Sequence, residues 1–397
     1  MRKLAFAALA TTMLAGSVAT AAAEDIKLGV FLGFTGPIES LVANMGPGAE
    51  LAIKEVSDSG ALLDGSTVTA VRGDTTCVDA AAATAAAERL ITSDGVKAIV
   101  GGDCSGVTGA ALQNVARPNG VVMISPSATS PGLTTAEDDG LFFRTAPSDA
   151  RQGEIVSDIL SGKGVKKIAL TYTNNDYGKG LSDAIAANFK KAGGEVTIVA
   201  AHEDGKGDYG AEVGALAAAG GEVLVVAGYL DQGGKGIIQG SIDSGAFDTF
   251  YLPDGMVGDA LPTAIGDDLN GSYGAAPGTD SPGAAKFAEM GKAAGFDGAS
   301  PFAGESYDAA ALIMLAMQAA GSSDSAKLKD KVFDVANAPG EKIFPGELAK
   351  ALKLIKEGKD IDYVGASAVE LIGPGESAGN YREIEIKDQK LSTVGYR

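Results

Sequence analysis

The sequence predicts an α/β protein made of two doubly wound lobes, each built on a parallel sheet, joined by a hinge of crossover strands. Short, continuous apolar runs such as residues 97–100, 121–124 and Val223–Ala227 alternate with helical patterns along the chain. Strands buried on both faces by flanking helices read this way. The alternation runs once before Pro147 and again after it. A chain of 397 residues is also long enough for two domains of ordinary size.

Met1-Arg2-Lys3 precedes a small, apolar run that ends in Ala21-Ala22-Ala23. A basic start, an apolar core and a small-residue cleavage site predict an export leader, residues 1–23, cut after Ala23. A membrane anchor is the alternative. The Ala- and Thr-rich core is weakly apolar for a span, and no stop-transfer charges follow it. The expected division of the remainder is 24–146 with 276–376 in the first lobe and 147–275 with 377–397 in the second.

In the first lobe a strand is expected over 26–32, then the turn Gly33-Phe34-Thr35-Gly36-Pro37. A helix follows over about 45–57, with Ala49, Ile53 and Val56 on one face. The next strand covers 67–72, and Asp79 caps an Ala-rich helix reaching about residue 91. Strand 97–100, helix 107–117 and strand 121–124 form a parallel strand–helix–strand unit. The apolar run 141–145 leads to Pro147 and the first crossing between lobes. The second lobe is expected as helix 150–161, strand 167–172, a loop at 174–178, helix 180–192 and strand 195–200. A polar loop through His202 to Tyr209 comes next. A short helix, strand Val223–Ala227, helix 236–244 and strand 249–252 complete the alternation. Residues 271–278, rich in Gly and Pro, read as a return linker. Helices over 284–294, 305–320 and 326–335 would pack back on the first lobe, and another is expected at 348–357. Residues 383–386 alternate as an edge strand does.

The strand–helix–strand unit also suggests a site. Its strands open into Gly101-Gly102-Asp103-Cys104-Ser105 and Ser125-Pro126-Ser127-Ala128-Thr129. Ligands of open α/β sheets bind beyond the carboxyl ends of the strands. Free amides and hydroxyls there suit a small anion such as a carboxylate. Two ordinary loops capped by Ser and Thr are the plainer alternative. Cys77 and Cys104 are the only cysteines, and an even pair in an exported chain reads as a disulfide across adjacent loops, holding the backbone at Ser105. Two buried free thiols are the other reading.

The formal charge of −19, which becomes −21 without Arg2 and Lys3, argues against nucleic acid and anionic lipid as partners. His202, the single histidine, lies beside Glu203 and Asp204 and reads as a solvated loop residue. A catalytic triad would have to use it, and a His-rich zinc site is excluded. The nicotinamide fingerprint is missing after the first strand, and Gly373-Pro374-Gly375-Glu376-Ser377 lacks the lysine of a phosphate loop. Asp138-Asp139 and Asp267-Asp268 sit among turn formers without calcium-loop spacing. No enzyme, cofactor or metal is expected.

Six segments in order complete the pattern: Phe34-Thr35-Gly36-Pro37, Cys77 through Cys104-Ser105, 125–131, Asp176-Tyr177-Gly178, Gly228-Tyr229 and Pro253-Asp254-Gly255. Over nearly the whole chain beyond the leader, this resembles the leucine/isoleucine/valine-binding proteins, the periplasmic solute-binding components of branched-chain amino-acid ABC transporters, with the type I periplasmic binding fold. The resemblance implies a monomer in the periplasm that traps an amino acid between its lobes and delivers it to an inner-membrane ABC permease. A ligand-sensing protein, or one for an amide or aromatic acid, is the alternative on the same fold. It implies that Ser105 binds the solute carboxylate and that Thr129 contacts the carboxylate and ammonium region. Ser127 and Ala128 lie in that same binding loop, with the Ser127 carbonyl offered to the ammonium. Tyr177 and Tyr229 would close over the solute, Asp254 would pair with the ammonium, and Phe302 would line the side-chain pocket. Two positions depart from the family: Leu41 stands in a helix-side loop where a tyrosine is usual, and Asp103 where an apolar residue is usual. Asp254 is also one methylene shorter than the usual glutamate.

Overall fold

The structure is a computed structural model that describes residues 23–397, so the leader expectation lies outside the described residues. Five strands lead the first lobe: β1 (Asp25–Leu32), β2 (Thr67–Asp74), β3 (Ala98–Gly101), β4 (Val122–Ser125) and β5 (Phe142–Pro147). Five more lead the second: β6 (Lys167–Thr173), β7 (Glu195–His202), β8 (Val223–Ala227), β9 (Phe250–Leu252) and β10 (Tyr273–Pro277). The short strands β11 (Glu341–Ile343) and β12 (Ile361–Tyr363) pair with each other. Near the C-terminus, β13 (Leu371–Ile372) and β14 (Glu376–Ser377) join the first sheet, and β15 (Tyr381–Lys387) and β16 (Lys390–Tyr396) join the second. The two seven-stranded sheets therefore run β13-β14-β5-β4-β3-β1-β2 and β16-β15-β10-β9-β8-β6-β7. Their leading strands share one doubly wound order and pair in parallel. Each sheet with its helices is one lobe. The chain passes between lobes three times: after β5, after β10, and from β14 to β15.

The order decides where a site can form. The strand order reverses between β1 and β3 in one sheet and between β6 and β8 in the other, and crevices open at the carboxyl ends of such strands. Phe31 is level with Gly101 at the first reversal and Tyr172 with Ala227 at the second.

The helices are α1 (Glu39–Ser59), α2 (Ala80–Glu88), α3 (Ser105–Ala111), α4 (Asp149–Gly162), α5 (Asp176–Lys191), α6 (Gly210–Ala219), α7 (Gly233–Ser244), α8 (Ala260–Ile265), α9 (Pro282–Ala294) and α10 (Ala303–Ala320). Shorter helical turns fill 325–336, and a last helix runs Leu348–Lys356. Strands β3, β4 and β8 are buried throughout. Helix α10, apolar nearly all round, packs between α1 and the first sheet, as a helix without a polar face must.

Several expectations are corrected. Helix α1 begins at Glu39 and continues through Pro47, because Leu41, Val42, Met45, Ala49, Ala52, Ile53 and Val56 make one buried face longer than the 45–57 pattern suggests. Leu41 therefore stands on a helix and not in a loop. Helix α5 begins at Asp176, where the Asn175 side chain accepts from the Gly178 amide at 3.0 Å, so Tyr177 sits in its first turn. The 271–278 segment is not a linker: β10 is buried and pairs with β9 and β15, its strand character coming from these neighbours. β15 is not an edge, since β16 covers its outer side. His202 is not a solvated loop residue. It ends β7, is 1% exposed, shares a hydrogen bond of 2.8 Å between Nδ1 and Thr171 Oγ1, and meets the Tyr209 ring edge-on. Its strand carries it inward despite polar neighbours in sequence, and burial pushes its pKa down to about 4.

Candidate functional site

The crevices of the two sheets face each other. On the first lobe, β3 ends at Gly101 and Ser105 opens α3, whose N-cap, Cys104, offers no side-chain acceptor. First-turn amides of a helix have no partner within the helix. Cys104 is bonded to Cys77, with Cα atoms 5.1 Å apart, which joins the loops after β2 and β3. Asp103 is buried beneath them: its carboxylate accepts from Gly33 N at 2.6 Å and Thr75 Oγ1 at 2.7 Å. Burial raises its pKa and these bonds oppose the rise. Asp103 thus braces three loops from the inside rather than standing free at the rim. Much of the hydroxyl cluster is also spent on bracing. Ser125 Oγ donates to Gly102 O at 2.5 Å, Ser127 Oγ to Asp103 O at 3.1 Å, and Ser105 Oγ accepts from Ser130 N at 3.0 Å.

On the second lobe, Tyr177 and Tyr229 stack with ring centroids 5.2 Å apart and planes 14° from parallel. Tyr177 Oη donates to Asp254 Oδ1 at 2.6 Å, and Asn175 Nδ2 donates to Tyr229 Oη at 3.3 Å. Asp254 Oδ1 also accepts from Gly255 N at 2.8 Å. A β-carbon on Gly255 would fall 2.7 Å from Tyr177 Oη and 2.6 Å from Gly228 O, so this approach requires glycine. Burial, then the charge of Asp254, holds the Tyr177 phenol well above its usual range. Burial likewise raises Asp254.

The lobes meet around one cavity. Leu41, Asp103, Cys104, Ser105, Ser127, Tyr177, Tyr229, Asp254 and Phe302 line it, together with Ile38 and Gly255, which sequence reasoning did not single out. Ala128 and Thr129 are wholly buried and are not part of its wall. The cavity measures about 20 Å³, on the scale of a single water, so a solute enters only if the lobes part. Asp231, in the turn after β8, bridges the lobes: its carboxylate accepts from Ser40 N at 2.9 Å, and its amide donates to Pro37 O at 3.1 Å. A larger surface groove of about 900 Å³ lies along α6 and α7, lined by groups such as Lys206, Asp208 and Asp243 and by none of the expected site residues.

Where the chain first crosses between lobes lies a polar cluster that the sequence did not reveal. Asp149 opens α4, is fully buried, and neither carboxylate oxygen has a hydrogen-bond partner. Gln152, one turn on, has both amide atoms unpaired, and so is Thr129 Oγ1. The Asp149 amide donates to Thr129 O at 2.8 Å, where the chain first crosses between lobes. Burial, then the charge of Asp254, places the Asp149 carboxyl well above the usual range. The spacing of Asp149 and Gln152 puts both on one helix face, which is the signal that could have found them.

The profile of the family described as "Periplasmic binding protein" matches residues 25–341. The chain is 32% identical over 332 residues to Leu/Ile/Val-binding protein homolog 1 of Brucella melitensis, covering 82% of this chain and 86% of that one. Its fold is similar to that of a leucine-binding protein of Thermotoga maritima, with a TM-score of 0.79 at 22% identity over 94% of this chain and 98% of the other. It is also similar to a solute-binding protein of a Rhodopseudomonas palustris ABC transporter in complex with benzoate, with a TM-score of 0.75 at 21% identity over 94% and 96% of the two chains.

Proposed function

The chain belongs to the periplasmic binding protein family, and from that premise we propose that it captures a small amino acid between its lobes and delivers it to an inner-membrane ABC permease. The observation that carries this reading is the convergence of Ser105 and Ser127 from one lobe with Tyr177, Tyr229 and Asp254 from the other on a single buried cavity. A zwitterion needs donors for its carboxylate and an anion for its ammonium, both out of water. The first turn of α3 at Ser105 offers donors, and Asp254 offers the anion. Leu41, Ile38 and Phe302 supply an apolar wall for the solute side chain. Contacts to both lobes at once are what draw the hinge closed. The 32% identical relative named for leucine, isoleucine and valine supports a branched-chain or related amino acid.

An aromatic acid is the second reading. Leu41 in place of a tyrosine makes the wall more apolar, and the benzoate-bound structure has the same fold. A benzoate, however, leaves the buried Asp254 without a positive partner. The basic, apolar start of the chain supports export to the periplasm, where we assign a monomer.

A thermal-shift screen of the twenty amino acids, benzoate and 4-hydroxybenzoate, followed by calorimetry, tests the reading. Binding to the folded form alone at a hundredfold excess over Kd stabilises by about 2.7 kcal/mol, which raises the melting temperature by several degrees. Unmoved melting across the whole panel refutes capture of this solute class.

A further inference from the structure

A second cavity, of about 380 Å³, opens at the hinge, walled by both lobes and by the second chain crossing. Cavities of this size hold small molecules. Gly278 to Ser281, in that crossing, run along one side, and Arg382 on β15 adjoins them. The second and third crossings are joined there, Gly278 N donating to Asn380 O at 3.0 Å. A β-carbon on Gly278 would fall 3.0 Å from Arg382 Cγ and Cδ, so the arginine stem lies against this crossing. Glu305, in the first turn of α10, enters from the first lobe and is 5% exposed. Glu305 and Arg382 therefore line one cavity with opposite charges. Asp280, the other carboxylate on its wall, is exposed to water. Among the described residues neither Glu305 nor Arg382 forms an ion pair, with the other or elsewhere. Arg382 Nε is buried with no hydrogen-bond partner. Burial pushes the Glu305 carboxyl up to about 7 and pulls the Arg382 guanidinium down, the directions expected of charges short of partners. Charges taken out of water are costly until they are paired.

We propose that this hinge cavity is a second small-molecule site, separate from the cleft, and that it takes a zwitterion whose cationic end meets Glu305 and whose anionic end meets Arg382. A plain anion would satisfy the guanidinium and leave the carboxylate alone, and a plain amine would do the reverse. A molecule carrying both charges balances both walls at once. The site does not depend on capture in the cleft, since neither Glu305 nor Arg382 lines the cleft cavity. Phe302 lines both cavities, so one side chain belongs to the two walls. Glu305 and Arg382 stand on different lobes. An occupant held by both charges therefore favours the arrangement of lobes described here over a spread one.

The zwitterions β-alanine, γ-aminobutyrate, δ-aminovalerate and ε-aminocaproate span a range of charge separations, while butyrate and butylamine carry one charge each. Each is titrated calorimetrically, at millimolar concentration, into wild type, Glu305→Gln and Ala285→Phe. Ala285 is an exposed wall residue on α9, so the larger ring crowds the cavity without removing a charge. The expected result is that at least one zwitterion binds wild type, that butyrate and butylamine do not, and that both variants weaken the binding at least about tenfold. Ala285→Phe removes no buried group and carries the test should Glu305→Gln fail to fold. Absence of binding by all four zwitterions overturns the inference. Equal binding of butyrate or butylamine overturns it too, as does zwitterion binding that the folded variants leave unchanged, which belongs elsewhere on the protein. None of these outcomes bears on capture in the cleft.

Discussion

Tyr177 Oη donates the side-chain hydrogen bond that Asp254 receives within the site. Removing it in Tyr177→Phe leaves a buried carboxylate short of a partner. A loss of about 1–3 kcal/mol is typical of such a change, and weaker capture of the proposed amino acid, measured by calorimetry, is the expected outcome. Asp254→Ala is expected to cost more, about 3–5 kcal/mol, because a buried ammonium loses its counter-charge; unchanged affinity removes Asp254 from the site. His202 makes a different prediction. Its folded pKa of about 4 lies below the ordinary 6.5, so the unfolded chain takes up the proton first as pH falls. Stability is full above about pH 6.5 and declines down to about pH 4, by roughly 3 kcal/mol in all. Denaturant titrations of wild type against His202→Gln check this: the difference in stability between them should be constant above pH 6.5 and shift against the wild type as pH falls from 6.5 towards 4. The buried carboxyls of Glu305 and Asp308, raised to about 7 and about 6, tilt the wild-type curve the other way, and the comparison cancels them.

Among the elements, the loops after β2 and β3 depend on the Cys77–Cys104 bond, which spans 27 residues. Closing a loop of that length stabilises by about 3–4 kcal/mol in the chain-entropy picture. The double variant Cys77→Ser, Cys104→Ser should lose about that much in guanidinium unfolding, and solute affinity should fall with it because Ser105 adjoins the bond. Much at this scale was readable beforehand. Short apolar strands such as β3 and β8 are bounded by Gly and by polar turns, and Asp79 caps α2 as its position suggests, accepting from Ala81 N at 2.9 Å. The failures have a common physical source. Gly-Ser-Tyr-Gly-Ala-Ala-Pro has a loop's composition, and only pairing on both sides makes β10 a strand. The sequence pattern puts His202 and Tyr177 in loops because one-dimensional patterns place element ends poorly. Site residues carried by turn chemistry, such as Ser105 and Asp254, could be picked out. Asp149 stands out only by its spacing to Gln152, since an acid in a first helical turn looks like an ordinary dipole partner, and the burial of its carboxylate without a hydrogen-bond partner is visible only in the folded chain.

For the molecule as a whole, three chain crossings join lobes that otherwise meet across a cleft, an arrangement suited to hinge bending. A compact chain of about 374 residues has a radius of gyration near ~21 Å. Small-angle scattering should show a larger value without solute that falls toward this one on capture, and an unchanged profile at saturating solute counts against hinge closure. Asp231, holding both Ser40 and Pro37 of the other lobe, should favour the compact form, so Asp231→Ala is expected to weaken capture while leaving the thermal stability of the solute-free protein within about 0.5 kcal/mol.

The narrowness of the cavity between Leu41, Phe302 and the stacked tyrosines has a kinetic meaning. With room for about one water, a cargo of amino-acid size fits only when the halves have spread. Residence time is then governed by how often the jaws spread, and because cargo contacts to both halves keep them shut, a cargo that makes more of those contacts should stay longer.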